Sequence, residues 1–242
     1  PVARRAERYL LKLNPPEFPH LVEDEAFFLR AARQSGLSVP DAEVVHDADG
    51  VSGLLVRRFD RVSGPAGEPR PLAQEDACQV LGLYLASKYR VTAEEVVLGL
   101  AEACRAQPVA AMDLVRQFIF AYLTCNGDAH AKNFSVLRVE PDEWRVSPAY
   151  DLPSSYPYGD HTMALSVNGR RREDMGRADF ISLAAVAGVP ERAVTRAIDD
   201  LCHRTDAWLD GVLDLPFDGG VLNMLKRAIE YRRDRLRSSG GS

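Results

Sequence analysis

The stretch "CNGDAHAKNF", residues 125–134, follows the markedly apolar run "LVRQFIFAYLT" at 114–124. It sets Asn126, Asp128, His130, Lys132 and Asn133 within ten residues. Desolvating so many polar groups is costly, so the loop invites a chemical reading. Within it, Asp128 and Asn133 stand in the pattern D-x-x-x-x-N. That spacing lets one loop aim a carboxylate at a hydroxyl proton and an amide oxygen at a metal ion.

Working outward, the chain divides into two unlike parts. "RYLLKLN" (8–14) reads as a short strand carrying Lys12, and "NPPEFPH" (14–20) as a loop, because its prolines block regular structure. "LVEDEAFFLRAARQSG" (21–36) is an amphipathic helix stopped by Gly36. "DAEVVH" (41–46) and "SGLLVRRFD" (52–60) flank a "DADG" turn as strands. A Gly/Pro-rich connector, "VSGPAGEPRP" (62–71), follows. Beyond it helices are expected at 74–82, 92–106 and 109–125, then two short strands, "FSVLRV" and "EWRVS". Residues 147–160 are irregular, and helices at 178–188, 190–213 and 219–237 close the chain. The expectation is an α/β (α+β) protein: a small strand-rich N-terminal lobe with a hinge at 1–61 and a larger, mostly helical lobe at 62–242.

Composition bounds the function. The 242 residues, 46% hydrophobic and 27% charged, suit a globular protein rather than a disordered one. A net charge of −5 gives no general attraction to nucleic acid or anionic membrane. No apolar run is long enough to span a bilayer and no secretory signal is visible. Cys78, Cys104, Cys125 and Cys202 show no CxxC pairing and read as buried thiols of a reducing, cytoplasmic compartment. Among 30 basic residues only Lys12, Lys88, Lys132 and Lys226 are lysine. Against that background a lysine at a special place is a weak pointer to its compact ammonium.

The spacing of Asp128 and Asn133 matches the catalytic loop of protein kinases, where Asp accepts the substrate hydroxyl proton and Asn holds Mg²⁺. Asp151, in "PAYDLPSS", supplies a second hard oxygen ligand. Lys12 and Glu25 can form the ion pair that orients the α- and β-phosphates. "LLVRRFD" falls where a hinge strand would be, its backbone from Arg57 to Phe59 able to read adenine. Each residue alone has a plain structural reading. Asp128 and Asn133 can be turn residues, Lys12 an edge-strand lysine, and Glu25 an exposed helix residue. His130 suits a buried, hydrogen-bonded loop histidine, and with no second His nearby a zinc site is not indicated. Phe118, Phe120 and Tyr122 suit the core, and "GRRREDMGR" (169–177) a solvated loop. No G-x-S-x-G or Ser-His-Asp order supports hydrolase chemistry. It is the four features in order that favour a kinase.

"NGDAHAKNFSVL" with "VSPAYDLPSS" resembles the HipA-like serine/threonine kinases, the toxin components of bacterial toxin–antitoxin pairs. The resemblance extends through "HLVEDEAFFLRAARQSGLSVPDAEVV", "LLVRRFDRV", "QEDACQVLG" and "SKYR", over about residues 9 to 235. It implies a kinase-like two-lobed fold, ATP and Mg²⁺ as cofactors, and transfer of the γ-phosphoryl group to a Ser or Thr of a protein. It implies Asp128 as the catalytic residue and Asn133 and Asp151 as Mg²⁺ ligands. Lys12, paired with Glu25, and the hinge residues Arg57, Arg58 and Phe59 would bind ATP. His130, Ala131, Lys132 and Asn133, with Tyr150, Asp151 and Leu152, would line the nucleotide site. It further implies a helix-turn-helix antitoxin partner, contact with DNA only through that partner, and a protein target such as an aminoacyl-tRNA synthetase. The family has further N-terminal structure, including a flexible loop over the phosphates. Here nothing precedes "PVARRAERYLLKLN". The expectation is that this segment is supplied in cis or by a partner, or that the chain is a degenerate relative, and that the chain alone transfers phosphate weakly.

Two other readings stay open. A small-molecule phosphotransferase of the aminoglycoside or choline kinase type shares a similar Asp–Asn loop, but "PAYDL" replaces its Trp-containing acidic motif. A non-catalytic kinase-like scaffold suits the absent phosphate loop, but not the complete set of Lys12, Asp128, Asn133 and Asp151.

Overall fold

The computed structural model describes residues 8–64 and 67–238. The chain's first seven residues and part of the expected connector lie outside the described residues. β1 (Tyr9–Leu13), β2 (Ala42–His46) and β3 (Ser52–Arg57) form an antiparallel sheet in the order β1-β3-β2. Directly opposed residues of antiparallel strands share a face. Lys12 is opposite Leu54, and Leu54 opposite Val44. Leu54 is fully buried, so register alone turns Lys12 toward the covered face. The cover is α1 (Leu21–Gln34), which buries Val22, Ala26, Phe28 and Leu29. Asn14 Oδ1 accepts the Val22 N–H at 2.7 Å and fixes the helix entry. Gly36, with φ 81°, makes the left-handed exit.

Three expectations are corrected by tertiary pairing. The connector holds a small hairpin, β4 (Arg61–Ser63) with β5 (Pro69–Pro71). The helix expected over 74–82 is instead strand β6 (Gln74–Asp76) followed by the single turn α2 (Ala77–Val80). Gln74 to Asp76 pair with Leu137 to Ser135, and this ladder wins over local helix preference. The helix expected over 190–213 stops early, at Arg204, and 3₁₀ turns continue to Asp214. There Trp208 packs edge-on to Phe27 and Phe28 and donates its Nε1–H to Ser35 Oγ at 2.9 Å. Docking onto α1 breaks the helix.

The other helices lie near expectation: α3 (Ala93–Ala103), α4 (Gln107–Leu123), α5 (Arg177–Ala185) and α7 (Gly219–Arg237), with the shortened α6 (Glu191–Arg204) before α7. A capping box between Thr92 and Glu95 starts α3. α4 is buried nearly all round in its second half, with Phe118, Phe120 and Tyr122 at 0% exposure. That is why its sequence is apolar rather than amphipathic. At its C-terminal end the buried guanidinium of Arg232 on α7 donates to the carbonyls of Tyr122 (2.8 Å) and His161 (2.6 Å). Beyond α4 the loop 125–134 leads into β7 (Ser135–Glu140), which turns back as β8 (Glu143–Val146). One continuous apolar core runs from α1 to α7. All four cysteines are buried and free. No helix among the described residues is long and apolar enough to cross a membrane.

Candidate active site

Lys12, Glu25, Asn133 and Asp151 converge where the sheet, α1 and the segment after β8 meet. Lys12 Nζ donates to both Glu25 oxygens, at 2.7 and 2.8 Å, and to Asp151 Oδ1 at 2.8 Å. Burial works to lower the Lys12 pKa, but attraction and hydrogen bonding from Glu25 and Asp151 outweigh it and hold the ammonium above its ordinary value. Burial likewise pushes Asp151 up, yet the charge of Lys12 and the hydrogen bonds from Lys12 and Asn133 bring its carboxyl below the usual range. In Glu25 burial prevails over Lys12 and the pKa is raised. Asp151 takes a left-handed backbone conformation, φ 58°, which Asp and Asn tolerate better than most residues. Asn126 Nδ2 donates to its carbonyl at 3.3 Å.

Asn133 donates Nδ2–H to Asp151 Oδ2 at 2.5 Å, while its Oδ1 accepts the His130 N–H at 3.1 Å. Asp151 and Asn133 thus offer a contiguous carboxylate and amide. Hard oxygen donors of this kind fit Mg²⁺, which is bound through one or two carboxylates plus phosphate and water oxygens. Among the described residues no three His, Cys, Asp or Glu side chains cluster as a metal cage.

Asp128 projects from the same loop, which is folded by its own polar groups. The Asp128 N–H bonds Asn126 Oδ1 at 3.1 Å, the His130 N–H bonds the Asp128 carbonyl at 2.7 Å, and the Gly127 N–H bonds Ser155 Oγ at 2.8 Å. A Cβ at Gly127 would lie 2.5 Å from both Ser155 Oγ and Asp160 Oδ2, so a larger residue there would displace these two side chains. The Asp128 carboxylate accepts the Tyr89 hydroxyl at 2.6 Å.

Two cavities adjoin at Asp151. One, of about 320 Å³, is lined by Lys12, Glu25, Arg57, Arg58, Phe59, Tyr150 and Asp151. Phe59 and Tyr150 sit 5.4 Å apart across ring centroids. The other, of about 440 Å³, is lined by Asp128, Asp151, Tyr89, Phe18 and Tyr158. Not every expected residue reaches the first cavity. Ala131 and Leu152 are buried in the core, and the Ala131 N–H is spent on the Lys88 carbonyl. His130 packs edge-on to Tyr89, and burial lowers its pKa despite Asp128 nearby. Its Nδ1 is buried without a hydrogen-bond partner among the described residues. Lys132 is also absent from this lining, and its carbonyl accepts the Tyr150 hydroxyl at 2.7 Å. Tyr150 is therefore tied to the loop, and its own hydroxyl accepts from Ser135.

Sequence reasoning missed Leu10, Pro40, Val56, Asp60 and Gln74, which complete the first cavity's wall. It also missed Asp24, fully buried beside Glu25, whose Oδ2 accepts the Ser154 N–H at 2.6 Å. No periodicity announces a buried carboxylate on a helix. Tyr89 lay within the quoted "SKYR", so its signal was present without a role.

Against known proteins, the model of the HipA-like C-terminal domain matches residues 2–209. A putative kinase, Y4mE of Sinorhizobium fredii, is 30% identical over 99% of this chain and 59% of its own length. The serine/threonine-protein kinase toxin HipA of Shewanella oneidensis is 33% identical over 62% of this chain and 38% of its own. Among solved structures, HipA of Shewanella oneidensis, in complex with HipB and operator DNA, superposes with a TM-score of 0.81 at 24% identity, covering 95% of this chain and 58% of that one. The proinflammatory kinase CtkA of Helicobacter pylori gives 0.66 at 14% identity, over 94% and 87%. These likenesses establish a kinase-like fold. The chain spans only about three fifths of the length of Y4mE and of the HipA structure. The fold, the loop and the match over most of its length place the chain in the HipA-like C-terminal domain family.

Proposed function

We propose that the chain forms the catalytic body of an ATP- and Mg²⁺-dependent serine/threonine protein kinase of a bacterial toxin–antitoxin system. The observation that carries the reading is the position of Asp151. It touches Lys12 and Asn133 and lines both the cavity beside the hinge and the cavity of Asp128. In this reading adenine enters the cavity that Phe59 and Tyr150 both line, against the backbone of Arg57 to Phe59. Lys12, held by Glu25, turns to the phosphates. Asn133 and Asp151 would hold Mg²⁺, which when bound neutralises developing phosphate charge. Asp128 takes the proton of the acceptor hydroxyl as its oxygen bonds to the γ-phosphorus. The bond to the β-phosphate oxygen breaks and ADP leaves. Residues 1–61 and 62–242 act as the two lobes around this cleft. A helix-turn-helix antitoxin is the proposed partner, because the HipA relative is seen with HipB and operator DNA. The protein works in the cytoplasm on a protein target.

The test is calorimetric titration of ATP with and without Mg²⁺ into the parent and Asp151→Asn. Asn keeps the left-handed backbone of residue 151, so the fold is expected to survive. Mg²⁺ should tighten ATP binding in the parent only. Equal Mg²⁺-dependent affinity in both would end the assignment.

A further inference from the structure

The hydroxyl of Tyr89 donates to Asp128 at 2.6 Å, and both residues line the same cavity. Among the described residues no other side chain hydrogen-bonds that carboxylate. The Asp128 side chain is exposed at the cavity, so without Tyr89 no hydrogen bond from the described residues fixes its orientation. Tyr89 is partly exposed, but its backbone segment and ring are tied to the loop. The preceding carbonyl, of Lys88, accepts the Ala131 N–H at 3.1 Å, which ties the segment to the loop that carries Asp128. Its own carbonyl accepts from Arg171 at 3.2 Å. Its ring meets the edge of His130 at 5.2 Å and carries the Lys88 ammonium 4.7 Å from its centroid.

We propose that Tyr89 is a positioning residue for phosphoryl transfer: its hydroxyl occupies one oxygen of Asp128 and leaves the other to take the acceptor proton. This rests on the role assigned to Asp128. A carboxylate held in one rotamer meets the acceptor already oriented, and the benefit belongs to the turnover step rather than to nucleotide binding. The seating of Tyr89 on the loop argues for a fixed strut rather than a gate that swings aside. Asp128, Asp160, His130 and Lys88 are the charged or titratable groups about the ring. Burial and the Asp128 bond raise the Tyr89 pKa to about 12, so the hydroxyl stays a donor.

Tyr89→Phe removes the hydroxyl and keeps the ring. The full gene product, its Tyr89→Phe, Asp128→Asn and double variants are compared by transfer of γ-labelled phosphate from Mg²⁺-ATP to casein, and to water as phosphate release. Tyr89→Phe is expected to lower kcat about tenfold with an unchanged KM for ATP, and to add nothing in the Asp128→Asn background. A Tyr89→Phe rate at or above the parent's, or a loss that multiplies with that of Asp128→Asn, overturns the proposal. If Asp128→Asn transfers at the parent rate, or the parent transfers to neither acceptor, the underlying assignment of Asp128 fails and the proposal falls with it. A second readout needs no turnover. In a ¹³C-tyrosine NMR titration, with Tyr89 assigned through its Phe variant, Asp128→Asn should bring its ionisation from about 12 toward the ordinary value. A Tyr89 signal indifferent to Asp128 would also overturn it.

Discussion

Lys12 and Asp151 lie 139 positions apart in sequence, yet the Lys12 ammonium is 2.8 Å from Asp151 Oδ1. The same ammonium is held by Glu25 at 2.7 Å. One cation from the sheet therefore registers α1 and the segment after β8 against each other, beside the cavity of the hinge residues.

Replacing Lys12 with Ala should weaken Mg²⁺-ATP binding by about 10–100-fold, the scale of losing a charge-assisted hydrogen bond. Glu25→Gln should cost only a few-fold, because Lys12 keeps Asp151. The double variant should be no weaker than Lys12→Ala alone, since Glu25 acts through Lys12. Calorimetry on the four proteins decides this, and additive losses would separate the two residues.

Asp128→Asn should spare ATP binding and lower kcat by roughly 10²–10⁴, the usual contribution of a general base. The carboxylate acts on the acceptor proton, which moves only in the transition state. Steady-state transfer with separate determination of nucleotide affinity distinguishes this from a structural role, in which binding would fall as well.

Asp24 offers a stability test. Burial raises its pKa well above the ordinary value, against the opposing bond from the Ser154 N–H. The folded state then holds its proton more tightly than the unfolded chain. Its cost to stability is absent below the ordinary Asp range and grows as pH rises toward the folded value. Asp24→Asn retains an acceptor for Ser154 and removes the ionisation. The melting temperature of the variant relative to the parent should climb by a few degrees between about pH 4 and pH 8, since ~1 kcal/mol moves a domain of this size by roughly 2–4 °C. A difference that stays flat with pH would show that Asp24 is not carrying a costly charge.

Arg232→Met should destabilise the fold by about 2–4 kcal/mol, because the carbonyls of Tyr122 and His161 lose their buried donor. Thermal unfolding followed by circular dichroism measures it. A change within a degree would mean that water replaces the guanidinium.

Sequence by itself determined the elements whose signals are local. The residues 8–14, the apolar spacing of α1 and the residues of the loop 125–134 placed a strand, a helix and a polar loop near where they stand, and the prolines of 14–20 the loop between the first two. Residue types and order also singled out Lys12, Glu25, Asn133 and Asp151, four side chains that meet. Tertiary structure alone decided what depends on partners distant in the chain. Gln74 to Asp76 became a strand because β7 was there to pair with. α6 ended where Trp208 found α1. His130 and Ala131 became buried, Ala131 in the apolar core, although their neighbour Asp128 faces a cavity. Asp24 became a buried carboxyl through a backbone N–H 130 positions away. Hydrogen bonding and burial across such separations are set by which surfaces come together, and a local pattern of residues does not contain that information.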